Sequence, residues 1–132
     1  MKLDLGIQGK RAIVCASSRG LGLGCALSLA EAGVDLIINS RNKQNLENAE
    51  SLLKSKFQVR VETVVADITT KEGQEAVLKK AENNLDILVT NAGGPPPGLW
   101  NDWSRSDFIS ALDANMLTPI ALMKEVLPVM IE

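Results

Sequence analysis

Ile13-Val14-Cys15-Ala16-Ser17-Ser18-Arg19-Gly20-Leu21-Gly22-Leu23-Gly24 is a short apolar run, then a Ser/Gly loop, then the start of a segment that stays apolar nearly all round as far as Ala32. A strand feeding a small-residue loop that opens straight into a helix suits a nucleotide phosphate. The first N–H groups of a helix lack partners and carry the positive end of its dipole, and glycines let a pyrophosphate approach them closely. The spacing Gly20-x-Gly22-x-Gly24 does not satisfy G-x-G-x-x-G, which would need glycine at Cys25. A wider loop fits instead, with small residues at Ala16, Ser17 and Ser18 ahead of Gly20 and Gly22. If the first turn requires a positive φ at Ala16, its Cβ makes that turn strained. The plainer alternative is a tight strand-to-helix turn with no ligand.

Outward from this stretch the hydrophobic period switches repeatedly between strand-like and helix-like. Arg11 to Cys15 reads as a buried strand, and Gly20 to Ala32 as a helix closed by Gly33. Val34 to Asn39 is a second strand. Asn42 caps a helix with Leu46, Ala49, Leu52 and Leu53 on one face, and Gln58 to Ala66 is a third strand. Thr69-x-x-Glu72 reads as a capping box for a helix carrying Ala76, Val77 and Ala81. Leu85 to Thr90 is the fourth strand; a Pro/Gly loop, Gly93 to Gly98, leads to a last helical region from about Ser104. Alternating strands and helices imply right-handed βαβ crossovers and a parallel sheet covered on both faces.

With 132 residues, 45% hydrophobic and 23% charged, the chain has enough apolar material for one core and not for two domains. A net charge of −2 without a basic stripe argues against nucleic acid as a partner. No signal peptide is recognisable and no apolar run approaches the roughly 20 residues that cross a bilayer, so cytoplasm and no membrane are expected. With no His and only Cys15 and Cys25, no metal site of the usual His/Cys kind is expected. Both cysteines read as small buried hydrophobes rather than a disulfide or a nucleophile.

In such a sheet ligands bind beyond the carboxyl ends of the strands. After the first strand comes the Ser/Gly loop, after the second Ser40-Arg41-Asn42, after the third Asp67-Ile68, and after the fourth Asn91-Ala92-Gly93-Gly94. An NAD site places an acidic residue about 20 positions beyond the glycines, on the ribose 2′-hydroxyl. Counting from Gly20 reaches Ser40 beside Arg41, and no Asp or Glu lies between Asp35 and Glu47. A guanidinium there would pair with a 2′-phosphate, and Arg19 adds a second positive charge. Arg41 is equally readable as a solvated charge at a helix start.

The loop, Asp67-Ile68, Asn91-Ala92-Gly93 and Asn115 occur in the order of a short-chain dehydrogenase/reductase, with Cys15 and Ala16 replacing the first Thr and Gly of that family's T-G-x-x-x-G-x-G pattern. The opening Leu5-x-x-x-Gly9-Lys10-x-Ala12 also resembles the family, particularly its 3-oxoacyl-carrier-protein reductase-like branch. The resemblance implies an α/β fold, a Rossmann-type doubly wound parallel sheet, with NADP as cofactor and a small-molecule carbonyl or alcohol as substrate. It implies that Ala16, Ser17, Ser18, Arg19 and Leu21 line the pyrophosphate and adenosine, that Arg41 selects NADP, and that Asp67 and Ile68 hold the adenine. Asn91, Ala92 and Gly93 would support the sheet and the ribose; for Asp67 and Asn91 local capping is the plainer reading.

Asn115 matches the helix asparagine of that family, which helps hold a water in the proton relay to the catalytic lysine; by itself it suggests a helix kink or a cap. The family's catalytic Ser and its Tyr-x-x-x-Lys are expected downstream of Glu132, together with further strands, since the chain contains no Tyr. Two functions therefore stand side by side: an NADP-dependent reductase moving hydride between nicotinamide and a carbonyl or secondary alcohol such as a 3-oxoacyl thioester, and a catalytically inactive nucleotide-binding or interaction fragment. Gly94-Pro95-Pro96-Pro97-Gly98, with Trp100 and Trp103, reads either as a substrate-lining wall or as a rigid surface turn. In the last helix Met116, Ile120, Met123, Leu127 and Met130 form one stripe. It serves either as core or as the face of a homo-oligomer, a dimer or tetramer by resemblance.

Overall fold

The computed structural model describes residues 3–132. Four parallel strands, β1 (Arg11–Val14), β2 (Asp35–Ser40), β3 (Val61–Val65) and β4 (Ile87–Val89), lie in the order β3-β2-β1-β4. Register is set by Ala12 opposite Leu36 and Ile87, and by Ile38 opposite Thr63. Alternate residues of each strand feed two cores. Ala12, Val14, Leu36 and Ile38 pack under α1 (Gly20–Glu31) and α2 (Lys43–Lys56), with Ala26, Ala30, Leu46 and Leu53. Ile13, Cys15 and Ile37 point the other way, against Val77 of α3 (Lys71–Ala81) and Leu122 and Val126 of α5 (Thr118–Ile131). Burial on both faces is why β1 and β2 read as apolar runs rather than as alternation, whereas the edge strand β3 carries Glu62 and Thr63.

The helix ends follow local chemistry. Gly33, at φ +82°, closes α1 with paired bonds from its own N–H to Ala30 and from Val34 N–H to Leu29, a left-handed stop that releases the chain into β2. Asn42 caps α2 by accepting from Asn45 N–H at 2.9 Å. The capping box expected at Thr69 is displaced by one residue. Thr70 caps α3, accepting from Gly73 N–H, while both donors of Thr69 are drawn to Asp67 Oδ1. A full capping box forms instead at Ser104–Asp107, opening α4 (Arg105–Leu112). β3 and β4 are shorter than the apolar runs suggested. The Asp35 carboxylate takes the Arg60 N–H, and β4 pairs with β1 through Ala12–Val14 alone.

α4 and α5 are joined by a π-helical turn, Asp113–Leu117, into one 27-residue helix, Arg105–Ile131. Pro119 has no N–H to give, and Thr118 N–H reaches five residues back to Asp113, so the ladder widens here. Contrary to the sequence expectation, this helix is long and apolar enough, by length and composition, to cross a bilayer. Its row Thr118, Leu122, Val126 is buried against the sheet, as in a layer helix of an α/β fold. The stripe Met116, Ile120, Met123, Leu127 lies one step round the helix and is exposed, so it is not the sheet-facing core; only Met130 of that stripe packs inward.

Candidate cofactor site

All the strands point their carboxyl ends to one edge, where the loops enclose a cavity of about 590 Å³. The α1 amino end opens into it, since Arg19 at the cap position makes no side-chain bond to the free N–H groups of the first turn. Arg19, Gly20 and the 85% exposed Leu21 line this end. Ala16 does take the left-handed backbone, at φ +48°. Two asparagine amides flank it: Asn39 Oδ1 accepts Ala16 N–H at 3.4 Å, and Asn91 Nδ2 donates to Ala16 O at 3.1 Å. A Cβ in this region costs about 1–2 kcal/mol, partly offset by the freedom glycine loses on folding. Ala16→Gly is therefore expected to stabilise the chain by about 0.5–1 kcal/mol in urea unfolding; a loss of stability would show that the turn is not strained.

Ser17 is the one expected site residue the fold does not bring to the cavity wall. It is fully buried, its hydroxyl donating to Val14 O at 2.7 Å and accepting Asn39 N–H at 3.1 Å, while its N–H donates to Asn39 O. Both of its donors are spent inside the fold, so it fixes the loop from beneath. Ser18 turns outward and donates to Ser40 Oγ at 3.0 Å; Ser40 Oγ also accepts Asn42 N–H. Beside them stands Arg41. Neither Arg19 nor Arg41 forms an ion pair among the described residues.

The third wall is Ala66, Asp67, Ile68 and Thr69. The Thr69 hydroxyl and N–H both bond Asp67 Oδ1, at 2.7 and 3.0 Å, and hold its carboxyl below the usual range, with Arg41 adding to the effect. Asp67 thus stays charged as pH falls toward the ordinary carboxylate value, and its contribution to stability is lost only below it. Asn91, Ala92 and Gly93 form the fourth wall. Asn115, in the π turn, faces them across the cavity, its amide donating back to Ala111 O at 3.0 Å. Pro95, Pro96 and Trp103 close the far end with Asp107 and Ser110. The Trp103 ring is packed so tightly on Gly98 that a Cβ there would lie 2.6 Å from it. Burial pushes the Cys15 thiol up to about 12, so it is no nucleophile, whereas Cys25, expected to be buried as well, is exposed on α1. Among the described residues no cluster of His, Cys, Asp or Glu could hold a metal.

Sequence reasoning missed Asn39, which it read as the last residue of an apolar strand, and Thr69, which it assigned to a cap. Asn39 is a polar side chain in an otherwise apolar run near the carboxyl end of β2, and Thr69 follows Asp67 by two residues in the loop after β3; those were the available signals.

A family model described as short chain dehydrogenase matches residues 10–132. The chain belongs to the short-chain dehydrogenase family. It is 30% identical over 113 residues to gluconate 5-dehydrogenase of Gluconobacter oxydans, covering 83% of this chain and 44% of that protein. It is 34% identical over 133 residues to the oxidoreductase YvaG of Bacillus subtilis, covering 100% of this chain and 49% of that one. The L-sorbose reductase of Gluconobacter frateurii, solved with NADPH and L-sorbose, superposes with a TM-score of 0.89 at 31% identity, covering 97% of this chain and 50% of that structure. The chain thus spans about half the length of these relatives. Its parallel sheet with helices on both faces is the Rossmann-type arrangement that the resemblance implied.

Proposed function

We propose that this short-chain dehydrogenase chain binds NADP(H) and belongs to an oxidoreductase that moves hydride between nicotinamide and a small-molecule carbonyl or secondary alcohol. The observation that carries the cofactor reading is the pair Arg19 and Arg41, without ion-pair partners among the described residues, at an edge where no carboxylate follows β2 until Glu47. Arg41 and Arg19 would hold the 2′-phosphate with the Ser18–Ser40 hydroxyls. The uncapped α1 amino end would face the pyrophosphate, Asp67 and Ile68 the adenine, and Asn91 to Gly93 the ribose. The bound dinucleotide supplies or accepts the hydride. Asn115 would orient a water on the far side of the cavity. The NADPH bound to the related L-sorbose reductase supports this reading, and that enzyme's ligand makes a ketose as eligible a substrate as a 3-oxoacyl thioester.

A charge-assisted contact is worth roughly 1.5–3 kcal/mol. Arg41→Asp should therefore weaken NADPH binding to this chain by about ten- to a hundredfold, and NADH binding far less. An unchanged NADPH/NADH ratio in calorimetric titrations would remove Arg41 from the site.

We also propose self-association through the last helix, where Leu112, Met116, Ile120, Met123 and Leu127 are each 41–53% exposed. Sedimentation at high micromolar concentration is expected to find dimers or larger species, and Met123→Glu with Leu127→Glu to return monomer. A stable wild-type monomer would refute this.

A further inference from the structure

We infer that Asn39 is a positioning residue for the dinucleotide: its amide clamps the strained Ala16 turn of the phosphate loop to the strand end that carries the adenine wall. The inference rests on the cofactor reading above. Asn39 is 1% exposed and makes no claim on solvent. Its Nδ2 donates to Val64 O at 3.1 Å and Ala66 O at 2.9 Å, its Oδ1 accepts Ala16 N–H at 3.4 Å, and its backbone exchanges two bonds with Ser17. β1 and β3 are not neighbours, because β2 lies between them. One side chain from β2 therefore spans both gaps. Ala66 leads directly into Asp67, and Ala16 leads through Ser17 into Ser18 and Arg19, so this one amide ties the two walls of the cavity to each other, alongside the backbone bonds from Ser17 N–H to Asn39 O and from Ala66 N–H to Ser40 O. A purely apolar side chain of similar size would leave the Ala66 carbonyl and the Ala16 N–H without this partner beneath the site.

The clamp and the strain are linked. Alanine holds a positive φ only while its surroundings over-determine it, and Asn39 supplies one of the two bonds that do so. Glycine at position 16 would rest in the same conformation without the clamp.

The test is a double-mutant cycle on the 132-residue chain, reading the calorimetric affinity for 2′,5′-ADP, with urea unfolding recorded separately for each protein. Asn39→Ala is expected to weaken binding by about tenfold or more in the native background and by about threefold or less in the Ala16→Gly background. Stability should fall in both backgrounds. That difference in affinity is what a merely structural asparagine would not produce. Asn39→Thr, which keeps a strand-compatible side chain and one donor, replaces Asn39→Ala in the same cycle if the latter does not fold. Equal losses in both backgrounds, or no loss in either, overturn the inference. Failure of the wild-type chain to bind 2′,5′-ADP at all overturns the cofactor reading instead, and the inference with it.

Discussion

Replacing Gly22 by alanine is expected to cost about 2–3 kcal/mol of stability and to abolish measurable dinucleotide binding. The added Cβ would overlap the Ala16 carbonyl oxygen and lie 2.8 Å from Asn91 Nδ2 and 2.9 Å from Ser17 Cα. Two of those three are backbone atoms of the phosphate loop, which cannot swing away as a flexible side chain could. The third is the amide that holds Ala16 O, so any retreat of the loop breaks the bond joining it to the end of β4. Gly24→Ala is the matched control. No atom lies within 4 Å of a Cβ at that position, and alanine in an exposed helix interior should stabilise by about 0.5–1 kcal/mol. Urea unfolding and NADPH titration of both variants decide the matter. A Gly22→Ala protein as stable as wild type would mean that α1 does not seat on the loop as described.

Gly73→Ala should act on the opposite wall with a destabilisation of about 1–3 kcal/mol. Its Cβ would overlap the Asp67 carbonyl oxygen and lie 2.6 Å from the carbonyl carbon and 3.0 Å from Thr70 Oγ1. That oxygen accepts both the N–H and the hydroxyl of Thr70, and Thr70 in turn caps Gly73, so the first turn of α3 and the Asp67 turn are wedged together. Pushing them apart moves Asp67 and Ile68. Binding of 2′,5′-ADP should fall at least about tenfold, while nicotinamide mononucleotide, which lacks the adenosine half, should be affected far less. Equal losses for the two ligands would place the adenine elsewhere.

The fold was legible because burial on both faces makes the inner strands β1 and β2 apolar over most of their length, while the helices flanking the sheet keep apolar faces. Ile13-Val14 and Leu36-Ile37-Ile38 carry that signal without ambiguity. Boundaries were less legible where side chains compete with the ladder. Asp35 reaches the Arg60 N–H, a contact that depends on where the chain returns, while Asp67 draws in Thr69 two residues on, a local turn that competes with the capping reading of the same threonine. Most of the candidate site was readable from position alone, since strand ends at the carboxyl edge converge whatever their residues. The exceptions are instructive. Ser17 sits in the motif yet faces inward, and Asn39 sits in a strand yet organises two loops, because the facing of one residue depends on a twist that spacing does not encode. The last helix misled in a different way: its Met-rich stripe has helical periodicity, but the row that meets the sheet is Thr118, Leu122 and Val126.

The packing of Trp103 on Gly98 has an optical consequence. Both tryptophans of the chain, Trp100 and Trp103, lie between β4 and α4, and there is no tyrosine. Trp100 is 87% exposed, so most of what its emission reports is water, and Trp103 reports its seat on Gly98 and the cavity wall it helps to form. Tryptophan signals from this protein therefore track a single proline-rich loop. Heating should shift them when that loop lifts from its seat, at whatever temperature that happens, while the four strands melt in spectral silence and reveal themselves only in far-ultraviolet dichroism or calorimetry.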